Sequence, residues 1–316
     1  MSAKPFVVCI VGPTACGKTA FSLALAQKLN GEIISADAVA VYRGLDIGSA
    51  KPTPEERNGI PHHLIDCVDI NDETFTVSTF RALARSAIDA VISRNKLPIV
   101  VGGSGLYFDA IFSDMRFSAP SDPAVRASIE KAYDEDREAV FTALREADPH
   151  SAERLHPNDK KRVVRALEVY RITGQPFSAL NRSFVSAQLD DDTYRTLRIG
   201  LNTERKTLYE RIDRRVDAMM ERGLEQEAFA LFAKGYSPQN CRALQSIGYA
   251  QLYDVYKGKR DLNEAIEQIK LDTRHFAKRQ ITWFKRDAGT VWFDPCRISL
   301  SELTEKTTEL INNAIQ

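Results

Sequence analysis

The sequence contains no continuous apolar run approaching the roughly 20 residues that a membrane-crossing helix needs, which excludes a helical membrane protein. Cysteine is scarce: Cys9, Cys16, Cys67, Cys241 and Cys296 are odd in number, widely scattered and without a C-x-x-C pair. Neither a disulfide framework nor a zinc knuckle follows, and a reducing cytoplasm fits best. Charge of one sign is not in excess, since Lys+Arg and Asp+Glu are both 43. A protein that coats nucleic acid by bulk charge is thereby excluded, whereas a local basic groove is not. The first residues hold one lysine and no long apolar core, which argues against a secretory leader. There is no clear internal repeat and no low-complexity tail. What is present is an ordinary globular composition, 43% hydrophobic and 27% charged over 316 residues, enough for about two domains.

Strand-like and helix-like stretches alternate through the N-terminal third. Phe6–Val11 is a β-branched run that predicts a strand, followed by a glycine-rich turn and an amphipathic stretch over residues 18–29. Residues 32–35 and 64–68 read as further short strands. Residues 77–94 read as a helix, with Phe80, Leu83, Ala84, Ala87, Ile88 and Val91 at helical spacing, and residues 97–101 as a buried strand ending at Gly102-Gly103. The alternation predicts an α/β fold with a parallel sheet flanked by helices. From about Ser118 the texture changes. Residues 122–147 and 158–173 are charged and helical, punctuated by Pro120, Pro149 and Pro157, and Gly174-Gln175-Pro176 ends the second stretch. A strand-like segment at 196–201 then returns, followed by helical stretches at 206–222, 224–234 and 262–285 and a last apolar run, Val291–Phe293. The expected organisation is an α/β core of residues 1–117 and 191–316, interrupted by a helical insertion over 118–190.

Gly12-Pro13-Thr14-Ala15-Cys16-Gly17-Lys18-Thr19 follows the first strand and opens a helix, matching G-x-x-x-x-G-K-[ST] in the setting that pattern requires. Its glycines let backbone N–H groups turn inward onto phosphate oxygens, and the helix N-terminus adds partial positive charge. Lys18 adds a full charge, and the Thr19 hydroxyl can ligate a phosphate-bound Mg²⁺. The bland alternative is a strand–helix turn with an incidental lysine. A cradle of this kind takes ATP or another nucleotide as readily as a different diphosphate, so it does not name a reaction. The strand at 97–101 ends in Gly102-Gly103-Ser104-Gly105 and not in the Mg²⁺-binding acid of ATPases and GTPases. The nearest strand-end acid is Asp37. Carboxyl ends of neighbouring strands open onto one crevice in such sheets, so Asp37 is expected to face the pocket of Lys18 and to be a general base. The alternative for Asp37 is a surface acid that caps a turn. His62 and His63 lack a third ligand at suitable spacing and read as structural histidines near a strand.

The phosphate loop, Ser35-Ala36-Asp37, the run from Val41 to Pro52, Pro61-His62-His63-Leu64-Ile65-Asp66 and Gly102-Gly103-Ser104-Gly105-Leu106-Tyr107 together resemble the bacterial tRNA dimethylallyltransferases, also called IPP transferases. Asn158-Asp159, Arg162, Arg165-Ala166-Leu167-Glu168-Val169-Tyr170, Arg211-Ile212, Arg215-Val216 and Ile247-Gly248-Tyr249 fit the same family in order. The resemblance implies transfer of a dimethylallyl group from dimethylallyl diphosphate to the N6 amine of an adenine beside the anticodon of tRNA. It implies Asp37 as base, Ser104 at a site that contacts the tRNA, and Arg215 beside the diphosphate. Spacing alone favours a solvated face for Arg215, with Arg205, Lys206, Arg211 and Arg214. Cofactor and partners follow from the same resemblance: Mg²⁺, dimethylallyl diphosphate and a tRNA anticodon stem-loop, with a monomer expected and no membrane.

An enzyme acting on a base within folded RNA must extrude that base and hold the backbone. The resemblance implies tRNA contacts at Asp37, Ala38, Val39, Ala40, Ser104, Arg126, Lys161, Arg162, Val163, Val164, Arg165, Arg242, Gln245, Gly248 and Tyr249. The chain departs from the family where Ala38 and Ala40 replace a serine and a glutamine and Lys161 replaces a glutamine, so side-chain hydrogen bonding to a base is not expected at the two alanines. A second run of cations and aromatics, from Arg274 to Arg286, puts Phe276, Gln280 and Trp283 roughly on one side of a helix, with the cations free to grip phosphates. No cysteine after Cys241 except Cys296 could ligate zinc, which points to the bacterial type and not the eukaryotic one with its zinc finger. The competing readings are a nucleotide kinase, an isopentenyltransferase acting on free adenine nucleotides, and a tRNA-binding protein without catalysis. The basic insertion speaks against the first two, and intact Lys18, Thr19 and Asp37 against the third.

Overall fold

A computed structural model of the chain describes residues 4–113, 121–180 and 193–315. Two compact units emerge, one of Met1–Phe112 with Asp191–Gln316 and the other Ser113–Asp190. The boundaries expected at 117/118 and 190/191, and Pro120, lie outside the described residues.

The first unit begins with β1 (Phe6–Val11), α1 (Lys18–Lys28), β2 (Gly31–Ser35), β3 (His62–His63), α2 (Val77–Ser93), β4 (Leu97–Gly102) and α3 (Gly105–Phe112). The second unit holds α4 (Pro123–Glu135), α5 (Arg137–Ala147), α6 (Pro149–Arg154), α7 (Lys160–Thr173) and α8 (Phe177–Leu180). The first unit then resumes with β5 (Arg195–Leu201), α9 (Arg205–Glu221), α10 (Leu224–Ala233), a 3₁₀ turn (Arg242–Gln245), α11 (Tyr249–Tyr256), α12 (Leu262–Phe284), β6 (Val291–Phe293) and α13 (Leu300–Ile315). Among the described residues, no helix is long and apolar enough to cross a membrane.

The six strands form one sheet in the order β3-β2-β4-β1-β5-β6, and every pairing is parallel. Its central strands are apolar at successive positions because both faces are covered. Val7, Cys9 and Val11 face one core with Phe80, Ala84 and Ile88 of α2 and Tyr249 of α11. Val8 and Ile10 face the other, with Phe21 and Leu25 of α1, Ile212 of α9 and Leu303 of α13. The helical unit has its own core of Ile129, Tyr133, Phe141, Leu144, Val163, Val164 and Leu167.

Three sequence expectations change. The strand expected at 64–68 is instead the two-residue β3, because Leu64 and Asp66 take left-handed backbone (φ 62° and 55°) that interrupts extended structure; Val68 keeps one isolated bridge, to Tyr42. The helical stretch at 122–147 is two helices. Asp136 ends α4 in extended backbone and accepts the Ala139 N–H to start α5. β4 also intervenes between β1 and β2, so the strand leading to Asp37 is not the neighbour of the one leading to the phosphate loop.

Candidate active site

A cleft of about 1030 Å³ opens at the carboxyl ends of the central strands, within the first unit. Its floor is the loop between β1 and α1. Gly17 is the N-cap of α1 in left-handed backbone (φ 94°), and Ala15 before it is also left-handed (φ 62°), so successive N–H groups curl toward the cleft. Lys18 Nζ folds back onto the loop, donating to the carbonyl oxygens of Gly12 (2.9 Å) and Pro13 (2.7 Å). Burial pushes its ammonium below lysine's ordinary value; nearby Arg215 adds to the shift, while Cys16 and Asp37 oppose it. Thr19 is exposed in the first turn of α1 and lines the same cleft.

Asp37 lies just beyond β2 and lines the same cleft as the loop between β1 and α1, despite the intervening β4. The alternative sequence reading, an acid that caps a turn, describes one of its oxygens. Its Oδ1 caps a turn, accepting the N–H groups of Val39 (2.8 Å) and Ala40 (3.0 Å). Its Oδ2 has no hydrogen-bond partner among the described residues, which leaves one oxygen able to take a proton. Ser104, after β4, holds the same turn from the other side: its hydroxyl oxygen accepts the Ala38 N–H at 3.1 Å. Ala38 and Val39 are half-buried against the core and Ala40 is buried.

Arg215 joins these groups from α9. The residue is half-buried, lines the cleft and makes no ion pair among the described residues. Burial lowers its pKa, opposed first by Asp37, which puts the carboxylate within electrostatic reach. Arg211, Arg214 and Arg279 extend the cationic wall. Met219, Ile247 and Ile269 give the cleft an apolar side.

Not every expected contact residue lies on a surface. Tyr249 is fully buried, with its hydroxyl donating to Glu227, whose carboxylate also accepts the N–H groups of Asp46 (3.0 Å) and Ile47 (2.9 Å). Its side chain therefore orders a cleft loop and cannot touch RNA. Val163 and Val164 are likewise fully buried in the helical unit's core. The apolar i, i+1 pair serves packing there, leaving only exposed neighbours for a partner. Lys161 and Arg162 are exposed; Arg162 pairs with Asp159 at 3.1 Å. Arg165 (2.8 Å) and Arg126 (3.9 Å) converge on the buried carboxylate of Glu168. Arg242 and Gln245 are exposed, and Gln245 and Gly248 line the cleft.

Two features escaped the sequence reading. Gln280 of α12 is buried and bonded to both loops of the cleft, where helical spacing had marked it only as core. Lys51 is 5% exposed and bonds Asp46 (3.0 Å) and Asp66 (2.6 Å), bracing the loop that includes Gly48. Helical spacing carries no sign of Gln280's partners 266 and 177 positions away, and Lys51 lies on no helix.

The sequence profile of the IPP transferase family matches residues 40–287. A tRNA dimethylallyltransferase of Geobacillus thermodenitrificans is 48% identical over 290 residues, covering 91% of this chain and 90% of that protein. The crystal structure of a full-length tRNA isopentenylpyrophosphate transferase from Bacillus halodurans superposes with a TM-score of 0.73 at 39% identity, over 99% of this chain and 97% of that one. A eukaryotic dimethylallyltransferase acting on tRNA superposes with a TM-score of 0.79 at 31% identity, over 98% of this chain and 80% of that one. The fold, the cleft and these likenesses converge: the chain belongs to the IPP transferase family.

Proposed function

We propose that the chain is a tRNA dimethylallyltransferase. It moves the dimethylallyl group of dimethylallyl diphosphate to the N6 amine of an adenine beside the tRNA anticodon and releases diphosphate. The observation that carries this reading is one cleft in which the Asp37 carboxylate faces the phosphate loop, Lys18 and Arg215.

Adenine N6 is a weak nucleophile because its lone pair is delocalised into the ring. A carboxylate that accepts its proton as the C–N bond develops lowers the barrier, and the Oδ2 of Asp37 is the free acceptor. Negative charge grows on the departing diphosphate. Loop N–H groups, Arg215 and Lys18, once it leaves the carbonyls of Gly12 and Pro13, stabilise that charge. The apolar side of the cleft keeps water from the allylic fragment. The described residues hold no cluster of three or more acidic, histidine or cysteine ligands. That suits Mg²⁺ arriving on the substrate, because this ion usually takes one or two protein oxygens beside phosphates and water. Thr19 would hold it, and when bound it would neutralise diphosphate charge. For the tRNA, Arg242, Gln245 and Ser104 are the candidate contacts of the first unit, and Lys161, Arg162, Arg165 and Arg126 those of the helical unit.

The test is incubation with dimethylallyl diphosphate, Mg²⁺ and either tRNA or AMP, with mass analysis of both acceptors. A prenylated adenosine in the tRNA alone is expected. Prenylated AMP beside unmodified tRNA would replace this reading with a free-nucleotide transferase.

A further inference from the structure

We propose that Gln280 is a positioning residue that ties the phosphate loop to the loop after β4, which in turn holds both neighbours of Asp37, so that an occupied diphosphate site sets the base. The proposal rests on the transferase reading above. Gln280 is 5% exposed. Its Oε1 accepts the Thr14 N–H at 2.9 Å, and its Nε2 donates to the Gly103 carbonyl at 3.0 Å. Both partners belong to loops of the cleft and neither to the glutamine's own helix. The approach at Gly103 is close enough that a Cβ there would lie 2.1 Å from Nε2.

From Gly103 the path is short. Ser104 donates its N–H to the Ala36 carbonyl (3.4 Å) and accepts the Ala38 N–H on its hydroxyl (3.1 Å), so both neighbours of Asp37 are held by the residue after Gly103. One turn further along α12, Trp283 packs on Gly105 and donates its indole N–H to Asp109 at 3.3 Å, backing the rest of the loop. A primary amide suits the position because it accepts at one end and donates at the other while staying neutral in a buried place. The base lies on a turn and not within a strand, so its aim depends on such supports, and misplacement by about 1 Å can slow a reaction on the order of 10²-fold.

Two variants test the coupling. Gln280→Met keeps length and loses both bonds. Gln280→Glu keeps the acceptor for Thr14 but sets a carboxylate oxygen against the Gly103 carbonyl; protonated, it regains a donor. Inorganic diphosphate with Mg²⁺ is expected to slow amide hydrogen exchange across residues 36–40 in the wild-type protein and not in Gln280→Met. The kcat of Gln280→Met on tRNA is expected to fall roughly 10–10²-fold, with the tRNA Kd within about twofold. The kcat of Gln280→Glu relative to wild type is expected to rise at least about threefold between about pH 8 and pH 6, because a buried carboxyl facing a carbonyl favours its neutral form. Lys18, Asp37, Arg215 and Arg279, which share the cleft lining, are present in both proteins; the three cations favour the ionised form of the new carboxyl, whereas burial, the Gly103 carbonyl and Asp37 favour its neutral form. Unchanged exchange at 36–40 in the wild type, equal protection in wild type and variants, or a pH-independent ratio would each overturn the coupling. A wild-type protein that shows the protection but leaves tRNA unmodified would overturn the transferase reading instead.

Discussion

Replacing Asp37 by asparagine separates the two jobs of one side chain. Asparagine keeps an Oδ1 for the N–H groups of Val39 and Ala40, now at 2.8 and 3.0 Å, so the turn survives. It converts the free Oδ2 into an amide NH₂ that cannot take a proton. General-base catalysis contributes roughly 10²–10⁴-fold, which is about 2.7–5.4 kcal/mol at about 1.36 kcal/mol per tenfold. Alanine removes the base and both turn hydrogen bonds, each with a net worth of about 0.5–1.5 kcal/mol. The two variants should therefore lose nearly the same turnover, while only Asp37→Ala also loosens the loop and raises the KM for tRNA. Binding of dimethylallyl diphosphate should hold or tighten in both, because Lys18 and Arg215 lose the carboxylate that now offsets their charge. The assay is a single-turnover rate with saturating dimethylallyl diphosphate and an anticodon stem-loop RNA, read by mass, beside a binding titration. An asparagine variant within a few-fold of wild type would remove proton transfer from the argument. A large loss in alanine alone would assign the effect to the turn.

Other perturbations address the fold and the RNA surface. A Cβ at Gly102 would sit 2.1 Å from the Ala36 carbonyl oxygen, between two strand ends that cannot part cheaply, so Gly102→Ala should destabilise the protein by roughly 1–3 kcal/mol in denaturant unfolding. Removing Lys161 and Arg162 together should flatten the slope of log affinity for tRNA against log salt by about 1–2 without lowering Tm, and an unchanged slope would exclude them as phosphate contacts. Arg165→Ala should lower Tm, because it strips an ion pair from the buried Glu168. Burial alone would raise the pKa of Glu32, but hydrogen bonds from Arg94, His63 and Lys96 outweigh it and hold the carboxyl at about 2. A folded pKa below the unfolded one means stability that is present above about pH 4.5 and lost as pH falls toward 2, amounting to at most about 3 kcal/mol. Glu32→Gln should erase that part of the acid unfolding profile, and an unaltered profile would refute the assignment.

The sequence by itself determined what is local. Phe6–Val11 as a strand, the glycine turn after it, and the helix that carries Lys18 and Thr19 all rest on neighbouring residues whose backbone preferences agree. The helix at Val77–Ser93 was readable from apolar spacing and the one at Lys160–Thr173 from a charged helical stretch ended by Gly174-Gln175-Pro176, and in the structure Thr76 and Asp159 cap them. Tertiary structure decided what depends on distant chain segments. β4 enters between β1 and β2, yet Asp37 still reaches the cleft of Lys18. Tyr249 looked like a contact residue until its hydroxyl was found on Glu227, and Val163 and Val164 until they were found in the helical unit's core. Gln280 lies 266 positions from Thr14, to which it bonds. An isolated stretch of sequence cannot encode such a pair, because its free energy arises only when the sheet and α12 have already brought the two groups together and excluded water from between them.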